Sequence, residues 1–146
     1  MSGPRIAPLT EADIVEVLAL WTASEGVGLR GADEPGALAR YLARNPGLSL
    51  VARDGEAVVG AVLCGHDGRR GYLHHLAVAA SHRRRGIGRE LVERCLDGLR
   101  REGIAKCHLF VYHHNESGQA FWRSIGWNGR DDLLMMSRDL AGDPNA

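Results

Sequence analysis

Apolar residues near the start of the chain recur with a helical period. Ile14, Val17, Leu18 and Trp21 fall at i, i+3, i+4 and i+7, one face of an amphipathic helix. Thr10, with Asp13 three places on, is a start signal, and Gly26-Val27-Gly28 ends the helix in a loop. A second helix is predicted behind Asp33-Glu34-Pro35, with Asp33 as its cap and Pro35 in its first turn. Its apolar stripe is Leu38, Tyr41 and Leu42, and Asn45-Pro46-Gly47 stops it. The pattern then turns strand-like. Residues 48–52 and 57–63 are β-rich runs separated by Asp54-Gly55, a hairpin signal. A turn over residues 67–71 leads into a third run, 72–78, so three antiparallel strands are expected. Helical spacing returns over 88–102 through Leu91, Val92, Cys95, Leu96 and Leu99, closed by Gly103. A strand over 104–112, a short helix over 117–124, and final strands at Trp127 and 133–137 complete the chain, with a brief opening strand at 5–8.

The order β-α-α-β-β-β-α-β-α-β-β predicts a single α/β domain. Its mixed, mostly antiparallel sheet carries helices on both faces, and the crossover through 88–102 demands some parallel pairing. The domain is expected to span 1–140, with 141–146 a frayed tail. Composition narrows the function. The 146 residues include 18 basic and 18 acidic side chains, and zero net charge argues against a dedicated nucleic-acid binder. No apolar run is long enough to cross a membrane, and Met1-Ser2-Gly3-Pro4-Arg5 lacks the apolar core of a signal peptide. Cys64, Cys95 and Cys107 are an odd set without CxxC spacing, so free thiols and a cytoplasmic setting are expected. Seven histidines are many for this length, but none has a partner at metal-organising spacing, so no metal is expected.

Candidate chemistry concentrates in one loop. Arg83, Arg84, Arg85, Gly86, Ile87, Gly88 and Arg89 lie between a strand and a helix. Two glycines let an anion approach the backbone, and a helix N-terminus offers unpaired amides and positive dipole. The arginines add charge-assisted hydrogen bonds. Neither a Walker A sequence nor a dinucleotide fingerprint is present. The plain alternative is a solvated basic turn.

Arg83-Arg84-Arg85-Gly86-Ile87-Gly88 resembles the pyrophosphate loop of the GNAT N-acetyltransferase superfamily, Gln/Arg-x-x-Gly-x-Gly/Ala. Asn115, Gly118, Phe121, Trp122, Gly126 and Trp127 resemble its second motif. The resemblance is specific over 48–127, and the turn at 65–71 is similar to that of small bacterial acetyltransferases of the YpeA type. It implies an acetyl-CoA-dependent N-acetyltransferase acting by direct transfer. Leu76, Ala77 and Val78 would pair with the pantetheine arm, the amides of 84–89 would hold the pyrophosphate, Asn115 would bond the arm, and Phe121 and Trp122 would line it. Homodimers are common in such families, so a homodimer is possible here, on that analogy alone.

Deprotonating the acceptor amine needs a base. The strand over 72–78 has no carboxylate, and strict alternation places His74 with Tyr72, Leu76 and Val78, with His75 opposite. His74 resembles one of the paired histidines of serotonin N-acetyltransferase and is the candidate base. The family's usual acid, a tyrosine seven residues after the asparagine, is Trp122 here, and Tyr112 is the substitute candidate. Family members that acetylate ribosomal-protein N-termini carry a glutamate where Phe110 stands, which disfavours that substrate. A small-molecule amine is the expected acceptor. A peptide amine, or a nonenzymatic coenzyme A-binding module, is the alternative.

Overall fold

The computed structural model describes residues 3–142. The strand-like runs of the middle segment form an antiparallel meander of β2 (Leu50–Asp54), β3 (Ala57–His66) and β4 (Gly71–Val78). β1 (Arg5–Pro8) joins β2 antiparallel, and β5 (Cys107–Leu109) joins β4 parallel, which gives one five-stranded sheet in the order β1-β2-β3-β4-β5. This is the expected single α/β domain with a mixed, mostly antiparallel sheet.

Helices cover both faces because β3 is apolar on both. Ala61 and Leu63 face α1 (Ile14–Thr22) and α2 (Pro35–Arg44), in a layer with Val17, Trp21 and Leu38. Val62 and Cys64 face the other way, toward Leu91, Val92, Cys95 and Leu99 of α3 (Ile87–Arg101). Trp122 of α4 (Glu116–Ser124), with Ile125 and Trp127, packs against that second layer. Arg53 on β2 reaches across to Asp13 at 2.8 Å and to Glu16 at 3.1 Å, tying the sheet to the start of α1.

Three expectations are corrected. The strand expected over 104–112 is only Cys107–Leu109, and residues 110–112 continue it without a strand partner. The final strands expected at Trp127 and 133–137 are not formed: residues 127–130 and 133–139 have no regular structure, and the apolar side chains of Leu133, Leu134, Met135 and Met136 stand in solvent. Strand propensity alone does not make a strand where no described edge is bonded to it. Residues 141 and 142 are irregular, whereas 143–146 of the expected tail lie outside the described residues.

The third correction concerns β4. Leu63 pairs with His74 and Ala61 with Ala77, so His75 and Leu76 together oppose Val62. His75 takes the extra place with φ of +56°. A one-residue bulge inverts the alternation beyond it. Tyr72 and His74 therefore face the α2 side, where His74 meets Tyr41, whereas Leu76 and Val78 face α3. Strict alternation had put all four on one face.

Candidate active site

The loop after β4 is shaped by two left-handed residues, Arg84 at φ +62° and Gly86 at φ +80°. Gly86 is the N-cap of α3, which starts at Ile87 rather than at Gly88. Alternating right- and left-handed backbone turns successive N–H groups toward a common point, an anion nest. Among the described residues, the amides of 84–89 donate to no protein acceptor. Arg83, Arg84, Arg85 and Arg89 are exposed around them. Six free amides, a helix N-terminus and four guanidinium groups fit a pyrophosphate.

Beside the loop, β4 and β5 part company. Their pairing stops at Leu73 with Leu109, so the edge of β4 from His74 to Val78 has no strand partner on the β5 side. Arg83 Nε donates to the Val78 carbonyl at 3.1 Å, joining the loop to the end of the strand. Gly88 lies within about a side chain of both Val78 and Phe121: a Cβ there would sit 3.5 Å from Phe121 Cζ and 3.6 Å from Val78 Cγ2. Phe121 thus lies beside the loop. Trp122 instead stacks edge-on against Trp127, with ring centroids 5.3 Å apart, in the layer under α3.

Asn115 does two jobs at the start of α4. Its Oδ1 accepts from the Gly118 N–H at 3.0 Å as the helix cap. Its Nδ2 faces Gly26, where a Cβ would approach to 2.7 Å. Tyr112 closes on the same loop, its hydroxyl lying where a side chain at Gly28 would collide. Tyr112 stacks on His114 with centroids 5.2 Å apart, and its hydroxyl faces Gly28. The α1–α2 loop therefore meets the β5–α4 segment.

His74 sits in an aromatic group. Its ring lies 6.4 Å from those of Tyr41, Tyr72 and Phe110, and Tyr72 is 5.7 Å from His108. No hydrogen bond holds the His74 ring nitrogens among the described residues. Burial drives its pKa down from the usual histidine range, His75 adds to the shift, and Asp33 opposes it. The imidazole is accordingly neutral at pH 7, with a nitrogen lone pair free to accept a proton.

The sequence gives no sign of the partner of Asp33. It was expected to cap α2, but Glu34 takes that place and Asp33 is buried at 8% exposure. Its Oδ1 meets His75 Nε2 at 2.9 Å, and its Oδ2 accepts from the Arg30 N–H at 2.9 Å. Burial pushes the carboxyl pKa up, but the bonds from His75 and Arg30 and the charges of His75 and His74 outweigh it and hold it below the usual range. Asp33→Asn is expected to destabilise the fold by about 2 kcal/mol at pH 7, since it weakens a buried bond to a charged group. A carboxyl lowered by folding contributes stability above its unfolded pKa and loses it as pH falls through the folded value. Urea melts should show a constant deficit from neutral pH down to about 5, shrinking below about 4.

Comparison with known proteins gives this arrangement a class. The Acetyltransferase (GNAT) family model matches residues 15–127. An acetyltransferase of Sodalis glossinidius is 31% identical over 132 residues, 90% of this chain and 92% of that protein. One of Yersinia enterocolitica is 30% identical over 92% of this chain and 94% of its own. Among solved structures, the PaiA N-acetyltransferase of Thermoplasma acidophilum in complex with coenzyme A superposes with a TM-score of 0.78 at 18% identity, covering 89% of this chain and 92% of that one. An aminoglycoside acetyltransferase from an uncultured soil metagenomic sample, in complex with sisomicin, gives 0.74 at 18% identity over 94% and 96% of the two chains. The chain belongs to the GNAT acetyltransferase family and is an N-acetyltransferase.

Proposed function

We propose that the protein transfers the acetyl group of acetyl-CoA to the primary amine of a small molecule in the cytoplasm, with His74 as the base. The observation that carries this reading is the His74 imidazole, free of hydrogen bonds among the described residues and lowered in pKa, at the point where β4 loses its β5 partner. The contacts of Gly26 with Asn115 and of Gly28 with Tyr112 narrow the acceptor side, which favours a small amine over a folded protein terminus.

When bound, acetyl-CoA supplies a thioester carbonyl. The amides of 84–89 would hold its pyrophosphate, and the open edge of β4, over Leu76, Ala77 and Val78, would align the pantetheine. Unpaired N–H groups on that edge can donate to the carbonyl oxygen as negative charge develops there. His74 accepts the proton of the incoming ammonium and so frees the nitrogen lone pair. Thiols have pKa near 8.5, so departure of sulfur needs no strong acid where Trp122 stands. Tyr112, past the end of β5, is the hydroxyl candidate to protonate it.

His74→Gln tests the assignment. We expect kcat to fall by about 10²-fold or more while acetyl-CoA affinity is retained. A base lowered in pKa stays neutral to lower pH, so the acidic limb of the wild-type kcat profile should lie below about pH 6.5 and disappear in the variant. Thiol release measured over a panel of small amines gives both readings. Near-normal turnover in His74→Gln would remove His74 as base.

A further inference from the structure

Three histidines meet a carboxylate among the described residues, and one of these pairs differs from the other two. The carboxylates facing His66 and His82 are those of Glu102 and Asp54, with side chains 45% and 54% exposed, and ion pairs at such sites contribute little. The side chains of Asp33 and His75 are only 9% and 18% exposed. Burying both partners costs desolvation, which only good geometry offsets. The pair also joins segments 42 residues apart.

His75 is unusual in its backbone as well. Its φ of +56° lies in the left-handed region, which residues other than glycine adopt sparingly. Such a conformation persists where the surroundings over-determine it, and residues of this kind gather at functional sites. Here the surroundings are Asp33 Oδ1, 2.9 Å from the ring nitrogen Nε2, and the Trp21 ring, edge-on with centroids 5.2 Å apart. Asp33 is fixed in turn by the Arg30 N–H, at the end of the 3-10 turn Gly31–Asp33.

The place of the pair in the fold gives it a task. Leu73 is the last residue of β4 paired with β5, so the bulge at His75 stands at the mouth of the opening between the two strands. Asp33 lies at the end of the α1–α2 loop. The same loop meets the far side of the opening, where Gly26 faces Asn115 Nδ2 and Gly28 faces the Tyr112 hydroxyl. It thus spans the opening as a strap, fastened to β4 at Asp33 and resting on the β5–α4 segment.

We propose that Asp33 and His75 are a positioning pair, which anchors this strap to β4 and so fixes the β4 edge relative to Tyr112 and Asn115 during acetyl transfer. The two residues act through the backbone they hold, without touching the thioester. This role rests on acetyl-CoA lying along the β4 edge, as proposed above, and not on which group takes the proton of the amine.

Steady-state thiol release tests the pair, at a temperature where circular dichroism shows each variant folded. His75→Gly suits the left-handed backbone and removes only the imidazole. Asp33→Ala removes the carboxylate, and should it not fold, His75→Gly alone decides. Each should lower kcat by about 10-fold or more while the KM for acetyl-CoA stays within about 3-fold of the wild type. The double variant should fall no further than the worse single one, because both changes delete one interaction. A pair that only supports the fold would lower Tm and leave the kcat of the folded protein unchanged, and that result would overturn the proposal. So would additive losses in the double variant. A wild type that releases thiol with no amine would count against the acceptor assignment instead, and amide hydrogen exchange then decides the pair. Exchange in His75→Gly should quicken across the opening, at residues 110–115, and unchanged rates there would sink the strap.

Discussion

Gly86→Glu is expected to abolish stabilisation of the protein by acetyl-CoA. A ligand that binds only the folded state raises its stability by about 2.7 kcal/mol at 100 times its Kd, a readily measured rise in Tm. Wild-type protein should show that rise. In the variant a carboxylate would stand at the N-cap of α3, where it would compete for the amides of 84–89 and repel a pyrophosphate. No protein atom lies within 4 Å of a Cβ at Gly86, so the substitution meets no steric obstacle. Its φ of +80° is another matter and adds about 1 kcal/mol of strain for a side chain other than asparagine. Gly86→Asn separates the two effects, since asparagine tolerates this conformation and carries no charge. We expect Gly86→Asn to retain most of the ligand-induced rise in Tm, and kcat/KM of Gly86→Glu to fall by about 10³-fold or more. A normal acetyl-CoA response in Gly86→Glu would show that the loop is only a basic turn.

The second large effect is on stability. Trp21 is 1% exposed and is the largest fully buried side chain. It packs among Ile14, Val17, Leu38, Val51 and Ala61, and its ring meets His75 edge-on at 5.2 Å. Trp21→Ala should destabilise the protein by about 3–5 kcal/mol, against a total of roughly 5–15 kcal/mol for a domain of ordinary stability. Trp21→Phe should be much milder. The indole Nε1 is buried without a hydrogen-bond partner among the described residues, and leaving such a donor unmet costs about 1–3 kcal/mol. Phenylalanine removes that donor while keeping most of the apolar volume. Urea denaturation of both variants checks the argument. Equal losses in the two would mean that the indole nitrogen is satisfied after all.

Much of this could be read from the chain because the signals were local. The stripe from Ile14 to Trp21 needed only a helical period, and Asp54-Gly55 needed only turn chemistry. The Arg- and Gly-rich loop stands out in the chain because the left-handed turn at Arg84 and Gly86 is made by consecutive residues. What escaped depended on partners distant in sequence. His75 carries no mark that it will take the extra place opposite Val62, so the faces of Leu76 and Val78 were inverted. Asp33 looks like any capping acid until the sheet brings His75 to within 2.9 Å, 42 residues away. The run from Leu133 to Met136 reads as a strand, but a strand exists only beside an edge, and the sequence does not say whose.

The bulge at His75 also divides β4 into two segments that answer to different demands. Before it, Tyr72 and His74 look toward α2 and the acceptor side; after it, Leu76 and Val78 look toward α3, next to the loop. A substitution at 72 or 74 therefore leaves the surroundings of 76 and 78 nearly untouched, although the four residues are within one short strand. Under the proposed function, acceptor preference is open to re-engineering at 72 and 74 without disturbing the residues assigned to the donor at 76 and 78. The extra residue makes one strand serve as two independent parts.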